Sequence, residues 1–183
     1  AGAGLSVMLA SLTGIIVLNA PPEVFDRFRH WAAGSLSGSG FALLGWPGLA
    51  IGAGLAAAFA LAARLNALAL GQEIGRALGV DLRLTWLLAC LAVMLLAGAA
   101  TALAGPIAFV GLVAPHLARL LAGPDQRWIL PFSALIAAGL LLGADILGRL
   151  LAAPAEIAAG IVALLLGGPA FIVLVRRFRL SRL

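Results

Sequence analysis

RLNALALGQEIGRALGVD, residues 64–81, is the stretch on which the reading of this chain turns. It is the longest polar interruption on the side where most of the arginines gather, and it separates two long uncharged stretches, 41–63 and 84–115. Further uncharged stretches run over 1–20, 128–144 and 157–175. Of the 183 residues, 63% are hydrophobic and only 10% charged, whereas a soluble domain carries about 25% charged residues. A helix needs about 20 mostly apolar residues to cross a bilayer, and stretch 84–115 is long enough to fold back on itself. Lipid offers backbone groups no partner outside a helix or a closed barrel. The expected fold is therefore all-α: a polytopic helical bundle, integral to the membrane.

Breaks fall at Pro21-Pro22, in 64–83, at Gly105-Pro106, at Gly123-Pro124 and at Ala153-Pro154, because Pro lacks a donor and Gly caps readily. They leave six candidate transmembrane segments, about 1–20, 41–63, 84–104, 107–121, 129–151 and 157–175, the fourth near the lower length limit. Alternating sides puts Arg64, Arg76, Arg83, Arg119, Arg127, Arg176, Arg177, Arg179 and Arg182 on one side and Arg27, Arg29 and Arg149 on the other. The positive-inside rule makes the first side cytoplasmic, with both termini there. The net charge of +5 comes from twelve arginines and no lysine. It reads as a topology signal, and no nucleic-acid partner is expected. The 1–20 stretch lacks the basic leader of a signal peptide, and the chain is expected to be a partial one. Cys90 is alone, so no disulfide or thiolate metal site is expected. Pairs four residues apart, Gly48 with Gly52, Gly98 with Ala102 and Gly139 with Gly143, suit close helix packing.

Within the polar interruption, 72–78 has the length of about two helical turns. Ile74, Ala77 and Leu78 share one face, and Gly71 and Gly79 bracket them, Gly79 as a C-cap. A helix this short is marginal alone. It must lean on the membrane surface, on the rest of the protein or on a partner, and the residues leave an interfacial helix and a partner-docking helix both open. In GPIAFVGLVAPHLARLL, 105–121, Pro106 suits a helix start and Pro115 is placed to break or kink that helix. His116 reads as a hydrogen-bonding group at the helix end. Arg119, Asp125 and Arg127 read as a solvated interfacial cluster. Asp145 and Arg149 lie four apart on one helical face and can pair. Ionisable groups inside spans face protein or water, so the two readings are a packing ion pair and a positive charge offered at the outer mouth. Val24, Phe28 and Trp31 fall on one face of an amphipathic segment, 23–31, suited to the outer surface. Gly167-Gly168-Pro169 interrupts the last span. No P-loop, HExxH, GxSxG or paired carboxylates occur. Catalytic residues, cofactors and metal ligands are therefore not expected, and the chain is not read as an enzyme.

NALALGQEIGRALGVDLR, the long run from GPIAFVGLVAPHLARLL through GADILGRLL to VLVRR, and the earlier WAAGSLSG resemble one family. It is the FecCD-type permease family, the transmembrane subunits of bacterial binding-protein-dependent ABC importers for iron–siderophores, haem and vitamin B12. The resemblance runs in order from about 31 to 177. Family members have ten spans, so this chain is similar to spans five to ten, a single permease domain over 1–183 with a coupling segment at about 65–82.

The resemblance implies a multi-pass protein of the bacterial inner membrane. It also implies three protein partners: a cytoplasmic ATP-binding subunit, a periplasmic or lipoprotein substrate-binding protein, and a second permease copy or paralogue. Leu70, Gly71, Gln72, Glu73, Ile74, Gly75, Arg76, Ala77, Leu78 and Gly79 then correspond to the coupling helices that sit in a cleft of the ATPase. Arg149 matches the position where the B12 permease meets an acidic residue of its binding protein. Gly105, Pro106, Gly111, Pro115 and His116, with Asp145, are assigned to span packing or gating, and the 23–40 segment to the region near the gate. GSLSG favours iron(III)–siderophore as substrate over haem or cobalamin. The 162–166 stretch, VALLL, is more apolar than the family pattern. From other classes, an ion-coupled secondary transporter and a non-transporting fragment are the competing readings.

Overall fold

The computed structural model describes residues 2–36, 40–151 and 156–180, with positions 41, 42, 170 and 172–180 described by their backbone alone. Its elements are α1 (Gly2–Leu18), α2 (Pro22–Ala32), a 3-10 turn (Phe41–Leu44), α3 (Gly45–Ala69), α4 (Gln72–Ala77), α5 (Leu82–Ala104), α6 (Val110–Ala122), α7 (Gln126–Leu151) and α8 (Ala159–Leu180). No strand occurs among the described residues. Helices α3, α5 and α7 are long and apolar enough to cross a membrane, and α1, α6 and Ala159–Pro169 of α8 are shorter apolar helices.

Helix α3 packs along α5 and crosses α7, α6 packs along α7, and α8 closes on both, while α1 touches α2 and has no buried residue. The core consists mainly of small side chains, among them Ala62, Ala92, Ala99, Ala114, Ala118, Ala144 and Ala163, with Leu61 and Ile129 beside them, while many other Leu and Ile, and Trp and Met, face outward. That is the pattern a lipid solvent selects, since helices associate there by close backbone packing rather than by expelling water from leucines.

The close approaches fall at glycines other than the pairs expected from four-residue spacing. A Cβ at Gly52, Gly98, Gly139 or Gly143 would meet nothing within 4 Å, and one at Gly48 would touch only the nearby Leu44. Within this chain those pairs face away from the helix contacts. Gly54 instead lets α3 meet α5, where a Cβ would lie 2.7 Å from Leu96 Cγ. Gly160 lets α8 reach the end of α2, where its N–H donates to Gly34 O at 2.7 Å.

Residues 105–109 correct the expected helix start. Pro106 is outside any helix, and α6 begins only at Val110. Gly105 takes φ 73° and ψ −178°, and its Cα lies against the Trp31 carbonyl, where only glycine fits. The non-helical 105–108 strip is thereby held against the end of α2, and Ile107 joins the cluster of Ala144, Val162 and Ala163. Helix α6 continues through Pro115, expected to break or kink it, without ending there, and α8 continues through Gly167, Gly168 and Pro169, where an interruption was expected. Pro115 removes the N–H that would reach the Gly111 carbonyl without ending the helix. The expected break at Ala153-Pro154 and the Ser37 and Gly38 of GSLSG lie outside the described residues.

Candidate functional site

The arginine-rich loops meet at one end of the bundle. Helix α3 runs past Arg64 to Ala69 and caps at Leu70 with Leu70 N donating to Ala67 O and Gly71 N to Leu68 O. Gly71, at φ 118°, turns the chain into α4. Gly79, at φ 79°, ends α4 as expected: its N–H donates to Arg76 O at 2.9 Å and Val80 N–H to Gly75 O at 3.0 Å. That pair of bonds is a Schellman motif, which satisfies the last carbonyls of a helix. Asp81 then caps α5, its carboxylate accepting from Leu84 N at 3.1 Å.

Gly75 is the residue by which α4 rests on the bundle. It is buried, and a Cβ there would lie 2.7 Å from Leu68 Cδ2. The expected apolar face points the other way: Ile74 is 50% exposed, Leu78, just past the helix end, 62% and Leu70 65%. Gln72, Glu73, Arg76 and Ala77 are exposed as well. Ile74 on α4 and the leucines flanking it, Leu70 and Leu78, are thus left largely exposed at the charged end.

Asp125, expected in a solvated cluster with Arg119 and Arg127, also has fixed hydrogen-bond partners. Its Oδ1 accepts from Arg127 N at 2.9 Å and from Asn66 Nδ2 at 2.6 Å, while Asn66 Oδ1 accepts from Gln126 N at 2.8 Å. Asp125 is thus the N-cap of α7, and Asn66 of α3 satisfies a second orphan N–H of the same terminus. The Arg127 N–H foremost, then the Asn66 amide, holds the Asp125 carboxyl below its usual value. Asn66 was invisible as a site residue in the sequence. Its only signal was an amide side chain next to a span end.

At the opposite end, Arg149 Nε donates to Asp145 Oδ2 at 2.9 Å, and Arg149 Nη1 stands 3.8 Å from Glu156 Oε1. The pair expected from four-residue spacing is formed. Arg149 keeps 49% of its side chain exposed against 19% for Asp145, so the carboxylate anchors the guanidinium and leaves it reachable. Both line a cleft of about 590 Å³ with Arg29 and His30 of α2, Ser35 and Glu156. Trp31 Nε1 donates to Thr101 O at 3.0 Å, which fixes α2 to the end of α5 and so forms one wall of the cleft.

The remaining expected positions are spread out. Gly105 is buried between α2 and α5, Pro106 and Gly111 are exposed, and Pro115 and His116 are half-buried in α6. Among the described residues, no three His, Cys, Asp or Glu side chains converge as metal ligands would. Phe109 escaped the sequence reading. It takes φ 67°, a strained conformation for a residue with a side chain, and its ring lies 6.1 Å from that of Phe171. Phe109 also lines an apolar cavity of about 190 Å³ between α6, α7 and α8.

A model of the FecCD transport family matches residues 1–177. The ferric enterobactin transport system permease protein FepD of Escherichia coli (strain K12) is 43% identical over 178 residues, covering 97% of this chain and 52% of its own length. The Fe(3+) dicitrate transport system permease protein FecC of the same organism is 42% identical over 178 residues, covering 97% and 53%. The hemin transport system permease protein HmuU of Yersinia pestis is 38% identical over 187 residues, covering 100% and 54%. The chain thus spans about half the length of the curated relatives it matches. Among solved structures, a protein described as a metal-chelate type ABC transporter, in an inward-facing conformation, superposes with a TM-score of 0.86 at 31% identity. That match covers 96% of this chain and 57% of that one.

Proposed function

The chain belongs to the FecCD transport family, and from that premise we propose that it serves as the permease subunit of a bacterial ABC importer for iron(III)–siderophore. It sits in the inner membrane with the arginine-rich end and the C-terminus in the cytoplasm. A separate ATP-binding subunit docks on α4, a substrate-binding protein docks at the Arg149 cleft, and a second permease completes the substrate path. The observation that carries this reading is the placement of Ile74 and Leu78. They are exposed on either side of Arg76, Ile74 on α4 and Leu78 just past its end, at the end where the arginine loops converge. The names of FepD and FecC support a chelated ferric ion as the substrate class. The name of HmuU supports haem as the second reading.

The bundle has little of what an ion-coupled carrier needs. Such carriers place ionisable groups at the bilayer midplane, whereas Asp145 and Arg149 pair with each other at one end. The test is reconstitution in liposomes with the ATP-binding subunit and the binding protein, using radio-iron-labelled ferric enterobactin, ferric dicitrate and haem. Uptake of a ferric siderophore that requires ATP is expected. Uptake driven by an ion gradient without ATP overturns the importer reading, and ATP-driven uptake of haem alone overturns the substrate class.

A further inference from the structure

Helix α7 reaches from the α4 end to the Arg149 cleft and carries the cleft's ion pair. Its 26 residues make a rod about 39 Å long at 1.5 Å per residue. Its far end carries Asp145 and Arg149. Its near end is not held by the loop from α6 alone: Asn66 grips it from α3 with both atoms of its amide, Nδ2 to Asp125 Oδ1 and Oδ1 to Gln126 N. Asn66 lies in the last turn of α3, and Leu68, two residues on, is the side chain on which Gly75 of α4 rests. A short run of contacts therefore connects α4, Leu68, Asn66 and the start of α7.

We propose that Asn66 and Asp125 are positioning residues that clamp α7 to the α3–α4 corner, so that movement at α4 is passed to α7 and the cleft at its far end. This rests on the reading of α4 as the docking place of an ATP-binding subunit. Three features make the clamp suited to the task. The amide of Asn66 donates to a carboxylate and accepts from a backbone N–H, so both its ends are specified. The Arg127 N–H first and the Asn66 amide second hold the Asp125 carboxyl below its usual value, and charge-assisted bonds are the stronger ones. The bonded groups are 59 and 60 residues apart in the chain, so the clamp joins two helices that the backbone does not join directly.

The decisive experiment exploits the asymmetry of the pair. Asn66→Asp sets two carboxylates face to face and removes the donor, since an ionised carboxylate only accepts. Adding Asp125→Asn restores the set in reverse: the new amide donates to Asp at 66, its oxygen accepts from Arg127 N, and the carboxylate at 66 accepts from Gln126 N. The readout is the number of ATP molecules hydrolysed per radio-iron-labelled ferric enterobactin taken up, in liposomes carrying the whole importer. A merely structural defect lowers the amount of assembled complex without changing that ratio.

The expected result is a ratio raised about tenfold in Asn66→Asp, within the usual range of coupling between sites, and returned to within about twofold of the parent in the double variant. A parent-like ratio in Asn66→Asp overturns the clamp, and so does a raised ratio that the second change leaves unrepaired. Should Asn66→Asp not assemble, Gln126→Pro carries the test. Of the clamp it removes only the Gln126 N–H that donates to Asn66 Oδ1, at the first helical position, where proline is tolerated. A several-fold rise in the ratio is then expected, and an unchanged ratio overturns the proposal. A parent that takes up no substrate on ATP overturns the importer reading itself, which separates the two failures.

Discussion

Replacing Gly105 with alanine tests the joint at which α2, α5 and α8 meet. At φ 73° and ψ −178°, Gly105 occupies a region that is essentially reserved for glycine and costs about 1–3 kcal/mol for any other residue. The new methyl would also press into the Trp31 carbonyl, with Trp31 C at 3.1 Å and Gly34 Cα at 3.3 Å. Those neighbours are backbone and cannot swing aside, so overpacking adds about 1–3 kcal/mol. The sum, about 2–6 kcal/mol, is a large share of the 5–15 kcal/mol that typically holds a folded domain. It would also strip the Trp31 Nε1 bond to Thr101 O. For a chain of this size each kcal/mol moves the melting midpoint by about 2–4 °C. Purified protein in detergent, melted while tryptophan fluorescence is followed, should therefore lose at least about 4 °C. Gly98→Ala is the control: it lies in α5, the helix that Gly105 caps, with nothing within 4 Å, and alanine is the better helix former. A Gly105→Ala protein that melts within about 1 °C of Gly98→Ala refutes the reasoning.

Other perturbations act at the two ends. The Asp125 carboxyl is held below its usual value, so its stabilisation is fully present above the unfolded carboxylate pKa of about 3.9. It is lost as pH falls through the folded value. Melting midpoints should show the parent ahead of Asp125→Asn at pH 6 and that lead shrinking below about pH 4; a lead that grows in acid contradicts the assignment. Gly75→Trp cannot fit between α4 and Leu68 and should raise the ATP hydrolysed per substrate several-fold while membrane insertion, read by protease protection, stays as in the parent. Arg149→Glu should weaken binding of the substrate-binding protein about tenfold in low salt. The loss should diminish at 1 M salt, where the screening length falls to about 3 Å, as titration calorimetry in both buffers would reveal.

Much of the bundle was legible because its signals are local. Uncharged stretches gave the helices. The arginine count grouped the 64–83 and 119–127 loops, and the Asn66–Asp125 contact places them together. The i,i+4 spacing found the Asp145–Arg149 pair, and the glycine after α4 was read correctly as its cap. What escaped depends on which residues meet across helices. In spans this rich in Ala and Gly, small residues four apart occur on every face, so spacing could not separate Gly54 and Gly160 from Gly98 and Gly139. Pro106 carries a helix-start signal that loses to a tertiary one, because Gly105 and Gly34 hold the 105–108 strip against α2 and α8. Asn66 looks like a lone amide at a span end and Asp125 like one member of a solvated cluster with Arg119 and Arg127, and only their juxtaposition shows the clamp.

The claim that α4 faces an ATP-binding partner is tested most directly by site-specific cross-linking. The exposed native cysteine, Cys90, is first replaced by alanine. Single cysteines are then placed at Ile74, at Leu78 and, as controls, at Gly98 and Trp31, and the chain is co-expressed with its candidate ATP-binding subunit and treated with a short thiol-to-amine cross-linker. Adducts with that subunit are expected from positions 74 and 78 and from neither control. Adducts from Trp31, or none from 74 and 78 while the two proteins still co-purify, would contradict the account.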